Sequence, residues 1–152
     1  MTYVELEKVY RSAPRPNALS DLNGDAKGAM LALRKPATGA VATMLKSYGA
    51  STSFPWEGKS FQSKDAESGT GINRVNFFGK RAWFPFKTRF GPSFLEGKSS
   101  FVLDYSGRTN PPFIRSIVDK VREVAPRLYL GPAALLVKGK PKPILFFAVS
   151  LQ

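Results

Sequence analysis

Residues 74–90 read RVNFFGKRAWFPFKTRF, and this stretch predicts two neighbouring β-strands. The runs RVNFF and AWFPFKTRF flank Gly79, which suits a short hairpin connection. Side chains alternate between the two faces of a strand, so the second run has an apolar face and a basic face. The apolar face is Ala82, Phe84, Phe86, Thr88 and Phe90, and the basic face is Trp83, Pro85, Lys87 and Arg89. The pattern leaves open whether the basic face meets solvent or a cavity.

Further strands are predicted on both sides of this hairpin. The segments STSFPWEGKSFQ, FLEGKSSFVLDYS and RLYLGPAALLVKGKPKPILFFAVSL have a period of two, with glycine-containing turns between the runs. The final run, ILFFAVSL, is apolar on both faces, which requires cover on both sides of the sheet. We therefore predict a strongly curved antiparallel sheet or a small β-barrel.

Two segments outside these strands predict helices. Residues 24–49 have helical apolar spacing, with Asp25 as the N-cap, a break at Pro36 and Gly49 as the C-terminal cap. Residues 111–124 carry one apolar stripe at helical spacing and predict an amphipathic helix. With a short helical segment in YVELEKVY, the fold class is α+β. We expect a single domain over 1–152, largely helical at 1–49, with a sheet or barrel at 50–152 that includes the helix.

The 152-residue chain contains no cysteine and no histidine. Catalysis by a cysteine–histidine pair or a serine–histidine–aspartate triad is therefore excluded, and so are zinc–thiolate sites. We predict neither a bound metal nor a cofactor. Any acid–base chemistry must use carboxylates, tyrosine, lysine or arginine.

The formal net charge is +12, from 23 basic and 11 acidic residues. A field of this sign attracts acidic small molecules or nucleic acid, although it is equally compatible with a role in solubility alone. No apolar run is long enough to span a membrane, and the N-terminus has no signal-peptide core. We therefore expect a soluble cytoplasmic protein, or an organellar one if a transit peptide has been removed.

Asp104 and Tyr105 in FVLDYSGRTN are the main candidates for catalysis. A carboxylate among apolar residues needs a partner. In one hypothesis, Asp104 is the general base and Tyr105 the proton donor of a cofactor-free isomerase, cyclase or hydrolase. In the alternative, which we favour, Asp104 forms a structural ion pair with an arginine at the end of the strand. The sequence leaves enzymatic activity open.

The leading hypothesis is a small-molecule-binding domain with an apolar cavity for a lipophilic or carboxylate-bearing ligand. Inside a barrel, aromatic side chains line the apolar part of a ligand while a cation pairs with its carboxylate. The predicted lining residues are Phe84, Phe86, Tyr105 and Tyr129, with Arg89 or Arg115 at the head group. A third hypothesis is a basic nucleic-acid-binding protein. It is less favoured because stacking aromatics and cations should share a face, and in 82–90 only Trp83 shares a face with cations.

The segment FPWEGKSF and the strands after it resemble small β-barrel proteins of the GXWXG type. The matching residues are Trp56, Gly58, Lys59, Phe61, Asn73, Tyr105 at the end of FVLDY, Gly131 at the end of LYLG, and the last strand, ILFFAVSL. Phe54 stands where that pattern has its first glycine. The resemblance implies a lipocalin-like barrel without an established activity, in which Trp56 closes one end and Gly58 permits a close backbone approach. We add Trp56 and Asn73 to the candidate ligand-binding residues.

Overall fold

A computed structural model of the chain describes residues 1–34, 56–76 and 78–152. Its centre is a closed antiparallel barrel in which each strand pairs with its neighbours in sequence and the last strand pairs with the first. The strands are β1 (Gly24–Leu33), β2 (Trp56–Ser63), β3 (Gly69–Asn76), β4 (Lys80–Pro92), β5 (Ser99–Asp104), β6 (Ile117–Ala125), β7 (Leu128–Val137) and β8 (Lys140–Ser150). The prediction of a barrel is confirmed.

Short helical segments accompany the barrel. They are α1 (Tyr3–Ser12), a 3-10 helix (Leu19–Leu22) and the one-turn α2 (Pro112–Arg115). The Thr2 hydroxyl accepts a hydrogen bond from the Glu5 N–H at 3.2 Å, and the Glu5 carboxylate accepts one from the Thr2 N–H, which caps α1. Helix α1 then buries Leu6 and Tyr10 against Phe146 on the outside of the barrel. Among the described residues, no helix is long and apolar enough to cross a membrane.

The 3-10 helix covers the end of the barrel at which β1 begins. Leu19 and Leu22 are buried in the same apolar cluster as inward residues of the strands, such as Phe61 and Phe101. Burial of these leucines closes that end with apolar contacts. The opposite end, where β2 starts at Trp56, lies closer to the polar residues described below.

Strand β1 replaces the first half of the predicted N-terminal helix, which is therefore wrong for that half. The predicted break at Pro36 and cap at Gly49 lie outside the described residues. The small residues of β1 reflect close packing instead of helix propensity: a Cβ on Gly28 would lie 2.4 Å from the Trp56 ring, and Ala26 is fully buried. Close packing therefore selects glycine and alanine in this strand. These small residues give the segment a composition that looks helical in the sequence.

Strand β6 replaces most of the helix predicted at 111–124. The prediction failed because both faces of β6 are covered. Val121 lies in the barrel core, Arg122 is buried beneath α1, and Val118 packs with Phe94 on the outside. A strand covered on both faces loses the alternation of polar and apolar residues, and its apolar positions then resemble a helical stripe.

Strand β4 contains a bulge at Phe84, where φ is 58°. Asn73 of β3 pairs with Trp83, whereas Gly71 pairs with Phe86, so β4 has one extra residue at this point. Paired residues share a face of the sheet, which puts Trp83 on the face of Asn73. The predicted faces of β4 are therefore reversed before the bulge and correct from Phe86 onward.

Candidate functional site

A polar cluster lies inside the barrel. Its centre is Lys59 of β2, whose side chain is completely buried. A buried ammonium group is stable only when it is paired and hydrogen-bonded. Its polar partners come from other parts of the barrel wall: Asn73 on β3, Tyr105 directly after β5, and Asp119 on β6.

Asn73 is the hydrogen-bonding centre of this cluster. Its side-chain oxygen accepts hydrogen bonds from the Lys59 ammonium group at 2.7 Å and from the Trp56 indole N–H at 3.1 Å. Its side-chain nitrogen donates to the Phe84 backbone oxygen and to the Tyr105 hydroxyl, each at 3.1 Å. Lys59 also donates to the Tyr105 hydroxyl. The amide of Asn73 therefore fixes the positions of the lysine, the indole and the phenol relative to one another.

The counter-ion of Lys59 is Asp119. Its Oδ2 atom lies 3.4 Å from Nζ, and both side chains are 0% exposed. Asp119 occupies an inward position of β6, opposite Leu103 of β5 and Ala133 of β7, which both belong to the core. Because water does not reach the pair, the attraction between the two charges is weakly screened. No group of three or more potential metal ligands occurs among the described residues.

Within the described part of the chain, four aromatic rings surround the ammonium group. Nζ of Lys59 lies 5.2 Å from the ring centroids of Trp56, Tyr105 and Phe147, and 5.3 Å from that of Phe86. Attraction between a cation and aromatic faces at these distances favours the charged form. The rings also give the cluster apolar walls, so hydrogen-bond donors and apolar surface occur side by side, as in small-molecule sites.

Burial lowers the pKa of the Lys59 ammonium group to about 8, and the attraction of Asp119, which raises the pKa, does not offset this effect. At pH 7 the group is mostly charged, but about one lysine in ten is neutral. A lysine with an ordinary pKa is neutral in only about one molecule in 3,000 at the same pH. Lys59 can therefore act both as a hydrogen-bond donor and as an amine nucleophile.

A bulge that depends on glycine brings Trp56 and Lys59 to the same face of β2. Residues three apart on a regular strand face opposite sides. Here the pairing with β3 shifts between Trp56 and Gly58, and both Trp56 and Lys59 pair with inward residues of β3. Gly58 has a φ of 152°, and a Cβ on it would lie 2.0 Å from the Ala26 backbone oxygen. Only glycine fits this backbone.

Most of the predicted ligand-binding residues lie in the interior. Those that belong to the polar cluster or pack beside it are Trp56, Asn73, Phe84, Phe86 and Tyr105. Tyr129 is also buried, but it lies toward the end covered by the 3-10 helix, where its hydroxyl donates to the Asp21 backbone oxygen at 3.2 Å. Tyr129 is therefore separate from the cluster around Lys59.

The two arginines predicted to meet a ligand's head group lie outside the barrel. Arg89 alternates with inward residues of β4, and its side chain is 51% exposed. Arg115 donates to two backbone oxygens of the connection between β5 and β6, at 2.8 and 2.9 Å. Lys87, on the same face as Arg89, is exposed as well. Arg89 and Arg115 both line an open groove of about 420 Å³ on the outer surface.

Asp104 and Tyr105 point to opposite sides of the barrel wall. Tyr105 joins the polar cluster inside, whereas Asp104 lies outside, 3.8 Å from Arg89. Partial burial raises the pKa of Asp104, but hydrogen bonds from Ser106 and the nearby charges of Arg89 and Lys87 outweigh it and lower the pKa. Asp104 is thus a paired carboxylate at a strand end, and the two residues do not form one catalytic centre.

The sequence-based list of site residues did not include Lys59 or Asp119. Lys59 appears in the sequence only as part of the Trp-x-Gly-Lys element, and the predicted helix at 111–124 puts Asp119 on its polar side. One signal was available. If the segment IVDKV is taken as a strand, Asp119 shares its face with Ile117 and Val121, and an acid at such a position indicates a buried partner.

Comparison with known proteins gives a likeness of fold. No protein-family model matches the sequence, and a search of curated proteins gives no match. Among solved structures, the chain is similar to a protein from Thermomonospora curvata, with 19% identity and a TM-score of 0.54 over 99% of this chain and 87% of that one. At this identity the likeness extends to the fold and not to function.

Proposed function

We propose that the barrel binds a small lipophilic molecule whose polar oxygen is held by Lys59, Asn73 and Tyr105. The observation that carries this proposal is the complete burial of the ion pair between Lys59 and Asp119 inside the barrel. Replacing a buried ion pair by apolar residues of similar volume is often neutral or stabilising, so packing alone does not account for the cluster. A ligand with a hydrogen-bonding head group does account for it.

The charges in the cluster favour one kind of head group. Asp119 already balances the charge of Lys59 at 3.4 Å, so a ligand carboxylate would bring two anions close together. The oxygen of a carbonyl or hydroxyl group avoids this repulsion and accepts a hydrogen bond from Lys59 or Tyr105. A carboxylic acid fits in its protonated form. The rings of Phe86 and Phe147 supply contacts for the apolar body of the ligand.

The two ends of the barrel suggest the direction of entry. The 3-10 helix covers one end with Leu19 and Leu22. The polar cluster lies toward the other end, where Trp56 starts β2 and Tyr105 follows β5. We propose entry at this end because it is the nearer of the two to the head-group site, where the Trp56 indole N–H donates to Asn73 at 3.1 Å.

The test compares ligand binding by the wild-type protein and by two variants. The ligands are decanol and decanoic acid, and binding is measured by native mass spectrometry and by displacement of a fluorescent lipid probe. Lys59→Met/Asp119→Leu removes the head-group site without leaving an unpaired buried charge. Arg89→Gln changes the outer groove alone and is the matched control. We expect decanol to bind the wild-type protein and Arg89→Gln equally, and at least about tenfold more weakly to the double variant, which corresponds to the loss of one good hydrogen bond to a charged group.

Two results would overturn the proposal. One is the absence of binding of both probes to the wild-type protein. The other is loss of binding in Arg89→Gln together with unchanged binding in the double variant, because this pattern assigns the ligand to the outer groove lined by Arg89 and Arg115.

A further inference from the structure

We propose that Lys59 forms a Schiff base with an aldehyde or ketone group of the bound molecule. This inference rests on the proposed function, since the carbonyl compound must first bind inside the barrel. Schiff-base formation needs an amine nucleophile, a proton donor at the carbonyl oxygen and an anion beside the iminium ion that results. The cluster around Lys59 contains all three kinds of group.

The geometry around Nζ assigns these roles. The Tyr105 hydroxyl is in hydrogen-bond contact with Nζ and also accepts from the Asn73 amide at 3.1 Å, so the phenol is held beside the amine. The Asp119 carboxylate lies 3.4 Å from Nζ, where it balances an iminium charge as well as an ammonium charge. The aromatic rings around Nζ keep out water, which otherwise hydrolyses an imine.

The reaction balances without an oxidant or a reductant. The amine lone pair of Lys59 forms a bond to the carbonyl carbon, while the π electrons move to the oxygen, which takes a proton from Tyr105. The nitrogen then returns a proton to the Tyr105 phenolate, which gives a neutral carbinolamine. Protonation of the carbinolamine hydroxyl releases water as the nitrogen lone pair forms the C=N bond. That proton comes from solvent, to which the ammonium form of Lys59 gave it up at the start, so the iminium ion keeps the charge that Asp119 balances.

The electrostatic environment supports this use of the amine. Burial lowers the pKa of Lys59 to about 8, against the opposing effect of Asp119. Among residues 1–34, 56–76 and 78–152, the titratable groups in contact with Nζ are Asp119 and Tyr105. The rate of imine formation at Lys59 should therefore rise about fivefold from pH 7 to pH 8 and level off above about pH 9, whereas lysines with an ordinary pKa continue to gain about tenfold per pH unit.

The experiment uses decanal as the probe and cyanoborohydride to reduce the imine, followed by intact mass measurement and peptide mapping. We expect one reduced adduct per chain at pH 7, located on Lys59. Lys87→Arg, which removes an exposed lysine of the outer face, should be modified at the wild-type rate. Tyr105→Phe should slow trapping about 100-fold, the usual contribution of a general acid, and this factor is taken after correction for any weaker decanol binding measured in the same variant. Lys59→Met/Asp119→Leu should give no adduct inside the barrel.

Binding of decanol in the same preparations separates this inference from the proposed function. If decanol binds inside the barrel but the adducts map only to surface lysines, the Schiff base is refuted and the binding function stands. If decanol does not bind and Lys59 is not modified, both proposals fail. If Tyr105→Phe traps decanal at the wild-type rate, the role of Tyr105 as proton donor is refuted.

Discussion

Replacement of Lys59 by methionine tests how strongly the charges of Lys59 and Asp119 stabilise each other in the folded protein. Nζ and the Asp119 Oδ2 atom lie 3.4 Å apart, and neither side chain is exposed. With an effective dielectric constant of about 20, two unit charges at this distance attract each other by about 5 kcal/mol. The single variant loses this attraction and leaves the buried Asp119 carboxylate without the charge of Lys59. We therefore expect the free energy of unfolding to fall by about 3–5 kcal/mol.

The double variant Lys59→Met/Asp119→Leu removes both charges at once. We expect its free energy of unfolding to be within about 1 kcal/mol of the wild-type value, or higher, because neither charge must then be desolvated. The double-mutant cycle should give a coupling energy of about 3 kcal/mol. The outer pair of Arg89 and Asp104, with side chains 51% and 33% exposed, is the matched control, and Arg89→Gln with Asp104→Asn should couple by less than about 1 kcal/mol.

The assay is urea unfolding at pH 7, followed by tryptophan fluorescence and circular dichroism, with the slopes compared among variants. The reasoning is refuted if Lys59→Met and Asp119→Leu each lower stability by less than about 1 kcal/mol and their effects add. Such a result would mean that the two side chains are not a desolvated charge pair. The argument for a binding site at Lys59 would then lose its basis.

Two further predictions use the same unfolding assay. Because burial lowers the pKa of Lys59 from the ordinary value of 10.5 to about 8 in the folded state, the unfolded chain binds the proton more strongly between these values. Stability should rise by about 3 kcal/mol as the pH increases across this window, and a similar rise in Lys59→Met/Asp119→Leu would contradict the assignment. Gly58→Ala should lower the free energy of unfolding by at least about 2 kcal/mol, because its Cβ would contact the Ala26 oxygen. The control is Gly107→Ala, where no atom lies near the added Cβ, and it should change the free energy of unfolding by less than about 0.5 kcal/mol. Equal effects at the two glycines would argue against the bulge.

Alternation of side chains was sufficient to predict the barrel and the inward faces of its regular strands. In β5, the pattern assigns Phe101, Leu103 and Tyr105 to one face, and all three lie in the core. In β4 it assigns Phe86 to the interior, where its ring lies 5.3 Å from the ammonium group of Lys59. These positions were predictable because each strand is regular there, so alternate residues lie on one face.

The remaining parts of the fold depend on contacts that a period in the sequence does not encode. The bulge at Phe84 reverses the face of Trp83, since one extra residue exchanges the two sides of a strand. In β6, the polar residue Asp119 points inward because its partner lies on β2. The partner is far away in sequence, so local periodicity indicates a helix with a solvated acid instead.

The position of Lys59 gives a reason for the bulge in β2. On a regular strand with Trp56 inward, residue 59 would face solvent, where a lysine needs no partner. The chain instead has Gly58 in a conformation unfavourable for other residues, and this turns the lysine into the core, where its burial is also unfavourable. Asn73 and Asp119, on two other strands, compensate for the burial of the lysine. A buried charge with dedicated partners is typical of functional sites, so the interior cluster, ahead of the outer groove, is where we expect ligand chemistry.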